Sequence, residues 1–243
     1  MTNSSLDVSI ILPALEATED FYRCIYSIRT ALLGKLGYEI IVVIPGDIDF
    51  PKLADADVRV IRQQGVGIYA AMNTGVNNAT GDYLYFIGQD DTMLEAAAEA
   101  LKQGIEQGSD LILADVYWGK EGVFKNGFPR SWLVWRNWCH QGIFYKRERF
   151  VKEIGSFPVQ YAAQADHYVN ILFSGLPELQ TTKFNGCIAR YSASGFSTKS
   201  PDMVFREAFP GIVLKHFGIL SYLMVVSRRL LLSVASFFRL KKK

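Results

Sequence analysis

The sequence predicts an α/β fold, with a mainly parallel sheet carrying helices on both faces. Two observations lead there. Short β-branched runs alternate with helical apolar stripes through the first 115 residues, and the first of those runs is apolar on successive positions. A strand covered on one face alternates apolar with polar, whereas a strand buried on both faces does not. Alternating strands and helices close into a parallel sheet with the helices outside it. The 243 residues, 49% of them hydrophobic, suffice for one sizeable domain with an appendage.

The elements follow in chain order. Residues 8–12 form a buried strand stopped by Pro13. Phe21, Cys24, Ile25, Ile28 and Leu32 recur at helical spacing, and Gly34 suits the stop. Residues 39–44 and 58–61 are the next two strands, the former closed by the turn Pro45-Gly46. A helical stripe runs from Ile68 through Ala71, Met72, Val76 and Ala79. Residues 83–87 form a fourth strand leading into Gly88-Gln89-Asp90-Asp91. Thr92 and Glu95 read as a capping box for an alanine-rich helix, and residues 111–114 as a fifth strand. From about Tyr117 the pattern becomes glycine- and aromatic-rich, with a strand at 142–146 and a helix near 163–173. This half shapes the other wall of a cleft, because ligands in such folds bind beyond the carboxyl ends of the strands.

Composition narrows the function. Cys24, Cys139 and Cys187 are far apart and odd in number, which argues for a reducing compartment and against a zinc or disulfide framework. The first residues lack the basic stretch and apolar core of a signal peptide, so a cytoplasmic location is expected. The net charge of +2 conceals an asymmetry: residues 206–243 carry eight Lys/Arg against one acid, and the remainder is net −5. A mildly acidic body with a basic tail is not the footprint of a nucleic-acid-binding domain.

The strongest chemical signal is Asp90-Asp91 at the end of an apolar strand. Paired carboxylates there can hold a hard divalent cation and leave its other positions to phosphate oxygens. Taken alone, Asp91 could equally cap the next helix.

The run Gly67-Ile68-Tyr69-Ala70-Ala71-Met72-Asn73-Thr74-Gly75-Val76, followed by Ala79 to Asp91, closely resembles a segment of the bacterial family 2 glycosyltransferases. Residues 8–13 are similar to that family's first strand. His140-Gln141-Gly142-Ile143-Phe144, then Gly155-Ser156-Phe157 and Ala165-Asp166, resemble its later series, and Ser194-Gly195-Phe196-Ser197 its late loop. The resemblance spans roughly residues 7–200 in the family's order.

It implies a GT-A fold and inverting transfer of a hexosyl group from a nucleotide sugar, a UDP-sugar first among donors. Asp91, with Asp90 helping, would hold Mg²⁺ or Mn²⁺ against the donor diphosphate; Asp90 could instead face the ribose. Asp166 would be the general base. Pro13, Ala14 and Asp47 would lie along the nucleoside, and Asn73 and Gln89 near the diphosphate or sugar. Asn73 could equally be a structural amide. Trp138, His140 and Gln141 fall on the acceptor side. The sequence departs from the pattern at Ile44-Pro45-Gly46-Asp47, Gly65 and Ala70, where the family carries acids. Those losses bear on nucleoside identity and motivate a second reading, an inactive membrane-bound scaffold.

The expected division is a catalytic domain over 1–204, with a donor half at 1–115 and an acceptor half at 116–204, and an amphipathic tail over 205–243. Val213, Phe217, Leu220, Met224, Leu231, Val234 and Phe238 recur at helical spacing. A span from 217 to 238 would place Arg228 and Arg229 near mid-membrane, at roughly 2.5–3.5 kcal/mol each. Lying in the interface avoids that cost, and Lys241–Lys243 would add about 1 kcal/mol each on an anionic leaflet. The expected place is the inner face of the cell membrane. The expected acceptor is a lipid-linked glycan for surface polysaccharide such as O-antigen, and the alternative partner for the tail is a second copy of the chain.

A different class also merits weighing. Gly65-Val66-Gly67-Ile68-Tyr69-Ala70 matches the dinucleotide-binding fingerprint of NAD(P)-dependent oxidoreductases. Against it, Arg62-Gln63-Gln64 separate strand from glycine, and two units precede a motif that normally opens its domain.

Overall fold

The computed structural model describes residues 6–53, 55–120, 122–192 and 202–240, with backbone alone from 233. The first half is as the alternation requires. Strands β1 (Val8–Pro13), β2 (Tyr38–Ile44), β3 (Val58–Arg62) and β4 (Tyr83–Phe86) pair in parallel in the order β3-β2-β1-β4. Helices α1 (Glu19–Leu32) and α2 (Ile68–Asn78) cover opposite faces. Val8, Ile10 and Leu12 pack with Ile40, Val42 and helix α1, whereas Ile11 packs with Ile41, Val43 and helix α2. All eight of these β1 and β2 positions are completely buried, which explains the unbroken apolar runs. Ser9 is the polar exception. Its hydroxyl donates to Glu39 (2.7 Å) and accepts from the Gly81 amide (2.8 Å), so no buried polar atom is left unmatched there.

The second half is mixed rather than parallel. Strand β6 (Leu111–Trp118) runs four residues beyond the expected end and pairs in parallel with β9 (Thr181–Tyr191). Strand β8 (Ile143–Lys146) is antiparallel to both β4 and β6. A hairpin strand β7 (Gly122–Phe124) pairs with β6, and a two-residue β5 (Thr92–Met93) with β9. That last pairing corrects the expected capping box. Thr92 is drawn into the sheet opposite Arg190, and helix α3 (Ala96–Glu106) starts with no side-chain cap. Glu95 reaches Lys35 instead, at 3.2 Å.

After a short α4 (Arg147–Arg149) and a π-turn at Phe150–Ile154, helix α5 (Ala165–Phe173) packs on the α2 face. The final helix α6 (Met203–Leu240) is broken at Gly218, whose φ of 82° is left-handed backbone that glycine adopts without strain. Its first arm is core: Phe205, Phe209, Ile212 and Phe217 join the α5 cluster, and Phe205 meets Tyr161 edge-on and the His167 ring at a tilt. The second arm lies alongside the first, with Val225 buried against Val213 and Arg229 donating to the Arg206 carbonyl at 2.5 Å. Leu220, Met224, Leu230 and Leu231 are exposed at 56–75%. The expected single stripe is therefore divided, Val213 being core and Leu220 surface. The stretch Met203–Leu232 contains an 18-residue segment of mean hydropathy 1.6 and is long and apolar enough to cross a membrane by length and composition, but Gly218 bends it in the middle. The terminal lysines and the loop at 194–197 lie outside the described residues.

Candidate active site

Beside the ends of β2 and β3, five further strands bring their ends to one edge of the sheet. β1, β4, β6 and β9 run in a common direction and finish there, and the reversed β8 begins there. The loops that meet at this edge carry most of the expected site residues.

After β4 the chain turns through Gly88-Gln89-Asp90-Asp91, closed by the Asp91 amide donating to the Gly88 carbonyl (3.1 Å). The two carboxylates have different surroundings. Asp91 is 1% exposed. Its Oδ2 accepts from Gln141 Nε2 (2.9 Å) and the Gly88 amide (3.2 Å), and its Oδ1 from the Ser192 amide (2.9 Å). Burial pushes its carboxyl up to about 6, the Ser192 and Gln141 hydrogen bonds opposing and the Asp90 charge adding to the rise. Asp90 is only half-buried, and its Oδ2 meets the Ser192 hydroxyl at 2.5 Å. The chemistry of Asp91 fits the neighbourhood of a divalent cation: its described donors are neutral, and it has no ion-pair partner among the described residues. No group of three or more His, Cys, Asp or Glu gathers among the described residues; a hard cation held by one or two carboxylates commonly takes phosphate oxygens and water as well. The sequence pointed chiefly to Asp91; in the structure Asp91 holds the turn, and Asp90 is the less buried of the two.

Across the edge, a cavity of about 270 Å³ is walled by Trp118, Phe124 and Tyr191 and floored by Asn137, His140 and Asp166. The Trp118 ring lies 4.4 Å from Tyr191 and 5.2 Å from Phe124. Asp166, in the first turn of α5, accepts from His140 Nδ1 (3.2 Å), Asn137 Nδ2 (3.0 Å) and the Tyr69 hydroxyl (3.1 Å). Burial alone would raise its carboxyl, but the His140 hydrogen bond and the charges of His140 and His167 hold it below the usual value. Asp202 ties this wall to α6, accepting from the amides of Ala163 (2.9 Å), Gln164 (3.2 Å) and Phe205 (2.9 Å).

A strand-edge cleft with paired carboxylates on one side and a carboxylate–imidazole pair on the other agrees with the comparisons. The pattern described as "Glycosyl transferase family 2" matches residues 9–164. The "PGL/p-HBAD biosynthesis glycosyltransferase" of Mycobacterium tuberculosis is 32% identical over 235 residues, covering 90% of each chain. The chain belongs to glycosyl transferase family 2. As a family 2 glycosyltransferase it shares its fold with a TarS fragment from S. aureus (TM-score 0.61, 13% identity), covering 87% of this chain and 66% of that one. A mannosyltransferase of Pyrobaculum calidifontis gives TM-score 0.58 at 14% identity, covering 88% and 64%. The GT-A fold expected from the sequence is thus present, and the dinucleotide-binding reading is set aside. The glycines at 65 and 67 follow β3 at the sheet edge, at φ 89° and 94°, and open α2.

The remaining expected residues divide. Pro13 ends β1, and the Ala14 amide continues its pairing by donating to Val43 (2.9 Å). Gln89 Oε1 accepts from the Leu15 amide (2.7 Å), joining the β1 and β4 loops. Asp47 is exposed in a turn whose carbonyls at Pro45, Gly46 and Ile48 are gathered by Arg62 Nη1 at 2.7–3.3 Å. Asn73 is the structural amide: both ends of its side chain bond Phe157 backbone at 2.8 Å, so neither is turned to a donor. Gln141 is likewise internal, between Asp91 and the Cys139 thiol (3.0 Å). Trp138 is buried at 4% exposure, with its indole N–H unpartnered among the described residues. Tyr69, Asn137 and Ser192 were not foreseen. Tyr69 sits inside the recognised run, but nothing in the sequence pairs it with Asp166, 97 positions away.

Proposed function

We propose that this glycosyltransferase moves a hexosyl group, with inversion, from a nucleoside diphosphate sugar to a hydroxyl of a lipid-linked glycan at an anionic membrane surface. The observation that carries the reading is the placing of the Asp90–Asp91 turn and the Asp166–His140 pair on one sheet edge, beside an aromatic-walled cavity. A UDP-sugar stands first among donors, since a TarS structure is described in complex with UDP-GlcNAc; the Pyrobaculum mannosyltransferase is described with GDP-Man and Mn²⁺. Asp90, backed by Asp91, would hold Mg²⁺ or Mn²⁺, which neutralises charge on the departing diphosphate. The Asp166–His140 pair accepts the proton of the attacking hydroxyl.

The tail supports the membrane part. Its second arm exposes Leu220, Leu223, Met224, Leu230 and Leu231, next to exposed Trp132 and Trp135. The Arg228 guanidinium lies 5.3 Å over the Trp135 ring. Leucine, tryptophan and arginine in one patch suit the headgroup boundary, and a cytoplasmic, inner-face location follows from that reading. A thermal-shift screen of UDP-, GDP- and dTDP-sugars with Mn²⁺ tests the donor. Stabilisation by one nucleotide class supports transfer, and no response to any of them with Mn²⁺ favours the inactive scaffold.

A further inference from the structure

An ionised carboxylate offers about four lone-pair sites, and four donors already occupy those of Asp166. Oδ1 takes the Tyr69 hydroxyl (3.1 Å) and the His167 amide (2.8 Å); Oδ2 takes Asn137 Nδ2 (3.0 Å) and His140 Nδ1 (3.2 Å). The Asp166 side chain is 12% exposed, that of His140 20%. A carboxylate saturated in this way is stabilised as the anion, which makes it a poor acceptor of a further proton. His140 is placed oppositely. Its Nδ1 faces an acceptor-only group, so that nitrogen carries the hydrogen and Nε2 carries the lone pair. The ring lines the cavity, with no Nε2 partner among the described residues.

Resting on the transfer reading above, we propose that His140 Nε2 is the catalytic base and that Asp166 is its positioning residue. The acceptor O–H bond breaks and its proton goes to Nε2. The freed oxygen pair forms the bond to the anomeric carbon. The bond from that carbon to the diphosphate oxygen breaks, its electron pair leaving on the nucleoside diphosphate. The imidazolium rests against ionised Asp166 and later returns its proton to water. Asp166 sets the tautomer and stabilises the charged ring without being protonated, the division of labour that aspartate and histidine have in serine hydrolases.

Long-range ¹H–¹⁵N correlation on the full-length chain with labelled histidine reads the His140 tautomer directly. The Nδ1–H form is expected, lost or mixed in Asp166→Asn. The second arm follows nucleoside diphosphate release from UDP-N-acetylglucosamine and GDP-mannose with Mn²⁺. His140→Ala should lower kcat by ~10²–10⁴ with donor KM nearly unchanged. Added imidazole should restore part of that rate in His140→Ala and none in Asp166→Asn. An Nε2–H tautomer in the wild type overturns the proposal. So does a His140→Ala loss below about tenfold beside a larger, imidazole-insensitive loss in Asp166→Asn. If the wild type releases no nucleotide, the transfer reading fails, while the tautomer still decides the arrangement.

Discussion

His140 and Asp166, 26 positions apart, meet with Nδ1 3.2 Å from Oδ2 because β8 runs against its neighbours. The reversal delivers the 3₁₀ turn His140–Gly142 to the edge where β4 and β6 end, and α5 presents Asp166 from the covering layer. Parallel continuation of the first half would have sent that turn to the opposite end of the sheet.

The same turn holds the Asp90–Asp91 loop through Gln141. Gln141→Ala removes a donor from the buried Asp91 carboxylate and an acceptor from the Cys139 thiol. A loss of about 1–3 kcal/mol is expected in urea unfolding, the cost of leaving buried polar groups unmatched. Unchanged stability would show that the Ser192 and Gly88 amides suffice for Asp91.

Helix α2 lies on β1 only because residue 75 has no side chain. A Cβ there would sit 2.4 Å from Ile11 Cγ2. Gly75→Ala should cost ~1–3 kcal/mol by overpacking. Combined with Ile11→Ala it should cost less than the sum of the two single changes, because the second makes room for the first. Strict additivity would place the strain elsewhere.

How much of this was legible in the sequence depended on range. Strands β1 to β4 and α2 followed from unbroken apolar runs and a helical stripe, signals that are local. Thr92 misled because a good cap was overruled by pairing with Arg190, nearly a hundred positions on. The site was readable where a residue's role lies in its own loop, as for Asp90 and Asp91. It was opaque where partners come from distant elements. Asn73, open between a ligand-facing and a structural amide, bonds Phe157 backbone, Gln141 is internal, and Tyr69 and Asn137 gave no sign of meeting at Asp166.

His167 should make the fold acid-sensitive. It is 6% exposed, burial lowers its pKa, and its Nε2 lies 2.7 Å from the Leu133 carbonyl. The folded chain then binds fewer protons than the unfolded one below about pH 6.5, so stability is present above that value and falls as pH drops toward the lowered folded one. Melting temperatures across pH 5–8 should show this slope, and His167→Gln should flatten it. A slope unaffected by that change would assign acid sensitivity to another group.

Truncation after residue 217 keeps Phe205, Ile212 and Phe217 in the core and removes only the second arm of α6. The full-length chain should float with anionic liposomes and the truncated one should not. High salt should weaken binding only in part, since screening leaves the leucine face untouched. A full-length chain that ignores liposomes and elutes as a dimer, dissociated by truncation, would make the arm an oligomerisation element.

The most direct test is the cation dependence of nucleoside diphosphate release in wild type and Asp90→Asn. Release should stop with EDTA, return with Mn²⁺ or Mg²⁺, and stay absent in Asp90→Asn at an unchanged melting temperature. Full release in chelator, or an Asp90→Asn enzyme as active as wild type, would contradict a cation-assisted transfer at the β4 turn.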